Sequence, residues 1–132
     1  MLFTLTSKII NYMDLENQVT SLELSKRLKE LGFKQESLFY WSKNGGQKWK
    51  IENSFYFKVD KRADISAYTA ADLGDMLPEY VEKDEKIYWL KGYKLLEYVE
   101  NYTYNSLCIF RADTEADARA KMLIYLRENN LI

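Results

Sequence analysis

Leucines recur at helical spacing in the segment TSLELSKRLKELGF, which spans residues 20–33. Three of them are four and three residues apart, so they fall on one face of a helix. Thr20 and Glu23 have the spacing of a capping box, in which each side chain accepts a backbone N–H at the helix start. Gly32 follows the last leucine, where helices commonly end in a left-handed residue. The pattern predicts a helix that begins after Thr20 and ends before Gly32.

The segment YTAADLGDMLP carries helix signals of the same kind. Thr69 and Asp72 repeat the capping-box spacing. Pro78 is expected to end this helix, because it excludes helical geometry from Leu77 before it. Gly74 costs a helix interior about 1 kcal/mol relative to alanine. We therefore expect either a close contact at Gly74 or a helix that depends on tertiary packing.

The C-terminal segment DTEADARAKMLIYLRENNLI predicts the longest helix. Asp113 or Thr114 is placed to cap its start. Glu115 and Asp117 lie in the first turn, where the helix macrodipole favours negative charge. The predicted buried stripe consists of Ala116, Ala120, Leu123 and Ile124. Its small residues predict close packing of this helix on a sheet.

Aromatic and β-branched residues dominate the stretches between the helices. LFYW and KWKIENSFYFKVD flank Asn44-Gly45-Gly46, which predicts a β-hairpin with a loop longer than two residues. The stretch from Lys86 to Asp113 predicts two or three more strands. Helices and hairpins are segregated and do not alternate regularly. This order predicts an α+β fold, with antiparallel β-hairpins or a sheet and about three helices packed on one face.

The chain has 132 residues, enough for one domain with a substantial core. We expect residues 13–132 to form a single α+β domain and residues 1–12 to be an N-terminal extension. That extension lacks the long apolar run and the cleavage site of a secretory leader. No window approaches the roughly 18 apolar residues that a membrane span needs. We therefore expect a soluble, cytoplasmic protein without membrane association.

Composition excludes several kinds of catalytic and metal site. The chain has no histidine, so imidazole acid–base catalysis and histidine metal ligands are excluded. Its one cysteine, Cys108, lies in the apolar run LCIF and is expected to be a buried, unreactive thiol. The acidic clusters fall in helix starts or polar connectors, where they need no catalytic explanation. We expect no enzyme activity, no cofactor and no metal site; a carboxylate-dependent enzyme is the least favoured hypothesis.

Tyrosine and tryptophan are abundant along the predicted strands. Both faces of a sheet must carry rings, while the helices can cover one face only. An open aromatic face bordered by charge is typical of a protein interface. The candidate contact residues are Trp41, Trp49, Tyr56 and Tyr93. The leading hypothesis is a non-enzymatic module that binds another protein, with a homodimer as an alternative.

Nucleic-acid binding is the second hypothesis, although the net charge of the chain is −1. Residues 20–62 contain ten basic and five acidic side chains, so this half is locally basic. A helix followed by a hairpin is similar to part of a winged-helix domain, but no recognition helix follows Gly32 closely. The candidate contacts for this alternative are Lys26, Arg27, Lys48 and Lys50.

Three blocks of the sequence, VTSLELSKRLKELG, AYTAADLGDMLP and ADTEADARAKMLIYL, carry a resemblance to a known family. The chain resembles a family of small uncharacterised proteins from phage and prophage regions of bacterial genomes. The resemblance covers most of residues 17–132. It implies a phage or mobile element acting in a bacterial cytoplasm, and it implies no catalytic residues. A partner from the host or the phage is the expectation that follows.

Overall fold

The computed structural model describes residues 15–43, 46–92, 95–100 and 106–132. Within these ranges the chain forms three helices, a short helical stretch at residues 15–18 and seven strands. The helices are α1 (Leu22–Glu30), α2 (Ala70–Met76) and α3 (Glu115–Glu128). The strands are β1 (Phe39–Ser42), β2 (Lys50–Asn53), β3 (Ile65–Ala67), β4 (Tyr80–Lys83), β5 (Lys86–Gly92), β6 (Leu95–Glu100) and β7 (Ser106–Arg111).

The described strands form two antiparallel sheets, which confirms the predicted α+β class. One sheet has the strand order β2-β1-β3 and the other has the order β4-β5-β6-β7. Helix α3 packs against β6 and β7 of the larger sheet and against both other helices, while α1 also packs against β3 of the smaller sheet. The helices therefore lie between the two sheets and share one core with the larger one.

Helix α1 begins one residue later than its capping pattern predicts. The N-cap is Ser21, whose hydroxyl accepts the N–H of Leu24. Thr20 is fully buried and makes other bonds: its Oγ1 accepts the N–H of Tyr68 and lies 2.6 Å from the hydroxyl oxygen of Ser25. The prediction of Thr20 as the cap was wrong, because its hydroxyl already bonds to the N–H of Tyr68 and the hydroxyl of Ser25.

The end of α1 agrees with the prediction. Gly32 has a φ of +83° and follows the last turn of the helix. The N–H of Phe33 donates to the carbonyl of Leu28, and the N–H of Gly32 donates to the carbonyl of Lys29. These two bonds form a Schellman motif, which satisfies carbonyls that the helix itself leaves unpaired.

Helix α3 holds α1 at both of its ends. The carboxylate of Asp117 accepts the N–H of Ser21 at 2.9 Å, and the guanidinium of Arg127 donates to the carbonyl of Leu31 at 2.8 Å. The two helices consequently run parallel and side by side. An acid at the start of α1 and a base at its end both complement the dipole of that helix.

The capping box of α2 is present as predicted. Thr69 accepts the N–H of Asp72, and the Asp72 carboxylate accepts the N–H of Thr69. Leu77 has left helical geometry before Pro78, with a ψ of 122°. The close contact expected at Gly74 is a guanidinium: a Cβ on Gly74 would lie 2.1 Å from a terminal nitrogen of Arg119.

The predicted hairpin is present, but its second strand is shorter than predicted. Strands β1 and β2 pair from Phe39 opposite Asn53 to Ser42 opposite Lys50. Asn44 and Gly45 of the predicted turn lie outside the described residues. Strand β2 ends because the Asn53 side chain accepts the N–H of Phe55, which starts a turn. Residues 54–59 are therefore not strand.

Two strands have no counterpart in the prediction. Strand β3 has three residues and pairs with β1 through Ile65, Ser66 and Ala67, all of them buried. Strand β4 forms a two-residue hairpin with β5, whose turn is Asp84-Glu85. Both turn residues have positive φ, 52° and 66°, as a type I′ turn requires. Asp-Glu lacks the glycine that normally indicates this turn, so the hairpin was not predicted.

The contact between Gly74 and Arg119 predicts a non-additive effect on stability. Arg119 donates to the carbonyl of Ala70 at 2.6 Å and pairs with Glu115 at 2.6 Å. Gly74→Ala improves helix propensity but displaces this guanidinium, so we expect it to destabilise the protein by about 1 kcal/mol. In an Arg119→Met background the same change should stabilise it by about 0.5–1 kcal/mol.

Urea unfolding of Gly74→Ala, Arg119→Met and the double variant measures this coupling. Equal effects of Gly74→Ala in both backgrounds would contradict the proposed contact.

Candidate protein-binding surface

Strands β4 to β7 present large apolar side chains on the side of the sheet that faces away from the helices. Five such residues are between 38% and 52% exposed. They are Tyr80, Ile87, Trp89, Leu95 and Ile109. We call the surface that they form the open sheet face.

The opposite side of the same sheet is packed. Val81, Leu96 and Tyr98 alternate with the exposed residues and are almost fully buried in the shared core. The hydroxyl of Tyr98 donates to the carbonyl of Pro78 at 2.7 Å, and burial raises the pKa of Tyr98 above its ordinary range. The helices thus cover one face of the sheet, while the other face exposes these five side chains around Val99, which stands opposite Trp89 and is buried.

Cross-strand pairing fixes the arrangement of the open sheet face. Tyr80 stands opposite Trp89, and their ring centroids are 5.2 Å apart with the planes tilted by 46°. Glu97 stands between Lys91 and Ile109 on the neighbouring strands. Residues directly opposite each other in a ladder point to the same side of the sheet. The face therefore combines an aromatic pair with interspersed charges.

Charged residues also occupy two corners of this face. Glu82 lies on edge strand β4, opposite Ile87. Arg111 lies on edge strand β7, opposite Leu95. Both are exposed. Exposed apolar and aromatic side chains mixed with charged groups are typical of the surfaces at which proteins associate.

Of the four aromatic residues proposed from the sequence, the three that the structure describes lie outside the open sheet face. Trp41 is half-buried in β1, and its indole N–H donates to the carbonyl of Thr20 at 2.9 Å. Trp41 and Trp49 line one cavity of about 220 Å³. Tyr56 is 88% exposed in the turn after β2, and Tyr93 lies outside the described residues.

The alternation from Tyr80 to Lys91 is the sequence signal for the open sheet face. Tyr80 and Glu82 alternate with buried Val81, and Ile87 and Trp89 flank the half-buried Tyr88. The Asp84-Glu85 turn interrupts this alternation of buried and exposed residues, so the sequence analysis did not identify them as a surface.

The basic residues of the second hypothesis separate into two groups. The Arg27 guanidinium is paired with Glu30 and Glu128, at 3.1 Å each. Lys26 is exposed, and its ammonium lies 5.3 Å from the centre of the Trp49 ring. Lys43, which follows β1, lies at the same distance from that ring.

Lys48 and Lys50 are exposed on either side of Trp49 in the chain. Of the four proposed basic residues, the structure places the ammonium of Lys26 over the Trp49 ring and pairs Arg27 with two carboxylates.

A groove of about 630 Å³ lies between the parallel helices α1 and α3. Its apolar lining includes Leu24, Phe110, Ile124 and Tyr125, and charged residues of both helices form its rim. The Phe110 and Tyr125 rings are 5.4 Å apart. Acids and bases mix on this rim, so its charge favours no ligand of one sign.

The described acidic side chains do not converge on one site. Within residues 15–43, 46–92, 95–100 and 106–132, no cluster of three or more Asp, Glu, Cys or His side chains is placed to hold a metal ion. Asp72 and Asp117 accept backbone N–H groups at helix starts, and Glu115 pairs with Arg119. These contacts give each of the three carboxylates a structural role.

Cys108 faces the helix layer from β7. Its sulfur lies 3.5 Å from the sulfur of Met122, and burial raises the pKa of its thiol to about 11. Among the residues that the structure covers, no helix is long and apolar enough to cross a membrane.

The raised pKa of Cys108 predicts slow reaction with thiol reagents. At pH 8 an ordinary thiol with a pKa near 9 is about one-tenth ionised, whereas a pKa of about 11 leaves about one-thousandth as thiolate. We expect Ellman's reagent to react roughly 100-fold more slowly with the folded protein than with the same chain in guanidinium chloride. Equal rates in the two states would show that the thiol is accessible and that its pKa is not raised.

Comparison with known proteins gives little functional information. No protein-family model matches this sequence, and no solved structure matches it. An uncharacterized protein of Methanocaldococcus jannaschii is 29% identical over 125 residues, which cover 92% of this chain. The match covers 46% of that protein, so the chain spans about half the length of this relative.

Proposed function

We propose that this chain is a non-enzymatic protein-binding module and that the open sheet face is its binding surface. The observation that carries the proposal is the exposure of five large apolar side chains on one side of a sheet whose other side is packed against helices. Small monomeric proteins rarely expose a large contiguous apolar patch without a partner for it.

The composition of the face supports this role. Tyr80 and Trp89 are aromatic and already packed against each other, so little side-chain entropy is lost when a partner covers them. Ile87, Leu95 and Ile109 add apolar area that becomes buried on binding. Charges among these residues favour one orientation of the partner over others.

The proposed setting is a bacterial cytoplasm in which a phage or prophage product acts. The resemblance to phage and prophage proteins supports this setting. The contacts that this chain makes with a protein partner would modulate host or phage machinery, and no catalytic step by this chain is required.

Site-specific photo-crosslinking tests the proposal. We expect benzoylphenylalanine at position 89 or 109 to give covalent adducts with a protein partner in bacterial cells. The same group at position 56 is a matched control, because Tyr56 is 88% exposed but lies in the turn that follows β2 of the other sheet. Adducts that form equally from position 56, or from none of the three positions, would contradict the proposal.

Single-stranded nucleic acid is a second candidate ligand, favoured by the surroundings of Trp49. Its half-buried ring has two lysine ammoniums, those of Lys26 and Lys43, at 5.3 Å. Lys48 and Lys50 add exposed positive charge next to the ring in the chain. A base can stack on such a ring while lysines contact the backbone phosphates.

A pair of matched lysine variants tests this second candidate. Lys48→Gln/Lys50→Gln should weaken binding of an oligothymidylate about tenfold and reduce the salt dependence by about 1.4 in the log–log slope. Lys83→Gln/Lys86→Gln removes the same charge from the other sheet and should leave binding unchanged. Fluorescence titration at several salt concentrations measures both. Absence of binding at low salt would reject this candidate.

A further inference from the structure

We infer that the protein partner on the open sheet face is a second copy of this chain, packed face to face about a two-fold axis. This inference rests on the proposed function, because it assigns the partner of the same surface. Its basis is the distribution of charge and apolar area on that surface.

The two charged corners of the face are diagonally opposite. Glu82 lies on edge strand β4, opposite Ile87 near the first end of β5. Arg111 lies on the other edge strand, β7, opposite Leu95. Leu95 begins β6, and its neighbour Leu96 pairs with Gly92 at the far end of β5. The acid and the base therefore occupy different edges and different ends of the same face.

This diagonal arrangement is self-complementary. Consider a two-fold axis in the plane between two copies, running along the diagonal through the other two corners. Rotation about this axis places Glu82 of each copy over Arg111 of the other, so two opposite-charge pairs form. The strands of the two sheets then cross at nearly right angles, which is one of the two common ways in which sheets pack.

The charge balance of the face favours a second copy over a partner of one charge sign. Two acidic residues, Glu82 and Glu97, and two basic residues, Lys91 and Arg111, lie on the same side of the sheet. The face therefore has no excess of either sign, and its oppositely charged corners, Glu82 and Arg111, are the groups that a rotated copy pairs. An acidic or a basic partner would instead face two like charges, which costs affinity.

The size of the face predicts a weak dimer. Four strands spaced about 4.8 Å apart and about six residues long cover a projected area of about 400 Å². A standard stable interface buries about 800 Å² on each partner, so this face is at or below that size. We expect a dissociation constant in the range of about 10–100 μM.

Sedimentation equilibrium of the full chain between 1 and 500 μM tests the inference. We expect a monomer–dimer equilibrium that Trp89→Ser/Ile109→Ser weakens at least about tenfold. Phe55→Ser/Tyr56→Ser is the matched control, since these residues are 81% and 88% exposed in the turn that follows β2 of the other sheet. A chain that stays monomeric at 500 μM, or a dimer that the first variant leaves intact, overturns the inference.

Charge reversal tests the orientation. Glu82→Arg alone and Arg111→Glu alone each place like charges over one another twice, so we expect each to weaken the dimer about tenfold or more. An equimolar mixture of the two variants should dimerise again, because each contact then pairs opposite charges. Failure of the mixture to associate overturns the two-fold arrangement. Circular dichroism confirms that both variants are folded.

The two proposals can fail separately. If the chain is monomeric in sedimentation but gives adducts with another protein from position 89 or 109, the proposed function stands and the dimer is rejected. A chain that gives neither dimers nor adducts loses both.

Discussion

The clamp of α3 on α1 connects the helices that pack against the two sheets. Asp117 and Arg127 bind backbone groups beyond the two ends of α1 and hold the helices parallel. Helix α3 also packs on α2 and on the larger sheet, while α1 packs on the smaller sheet. The described sheets share no strand pairing with each other, so the helices join them. The described helices cover one side of the larger sheet, and five large apolar side chains are exposed on its other side.

That open side gives the proposed function a physical cause. A four-stranded sheet has two faces, and the buried Leu96 and Tyr98 belong to the face that the helices cover. Trp89 and Ile109 belong to the other face, where a second layer is missing within the described chain. In the dimer that we propose, a second copy would supply that layer in the way that two sheets form a sandwich. Binding would then give the larger sheet a packed layer on both of its faces.

Local sequence rules predicted most of the elements and little of the surface. Capping at Thr69 and Thr114, and the Schellman end at Gly32, rest on contacts within a few residues, so they were predictable. The cap at Thr20 was mispredicted because Tyr68, 48 residues away, occupies its hydroxyl. The open sheet face depends on which strands pair. The pairing of β4 with β5 was not predicted, because its turn, Asp84-Glu85, contains no glycine. Long-range pairing of this kind is set by the packed core, which local patterns do not specify.

We expect Trp89 and Ile109 to be accessible in the single molecule and to become covered by binding. Hydroxyl-radical footprinting read by mass spectrometry measures side-chain accessibility directly, at concentrations from below 1 μM to above 200 μM. Both residues should be oxidised rapidly in dilute solution and become protected as the concentration rises, whereas Tyr98 should be protected at every concentration. Protection of Trp89 and Ile109 as strong as that of Tyr98 in the most dilute sample would contradict this expectation.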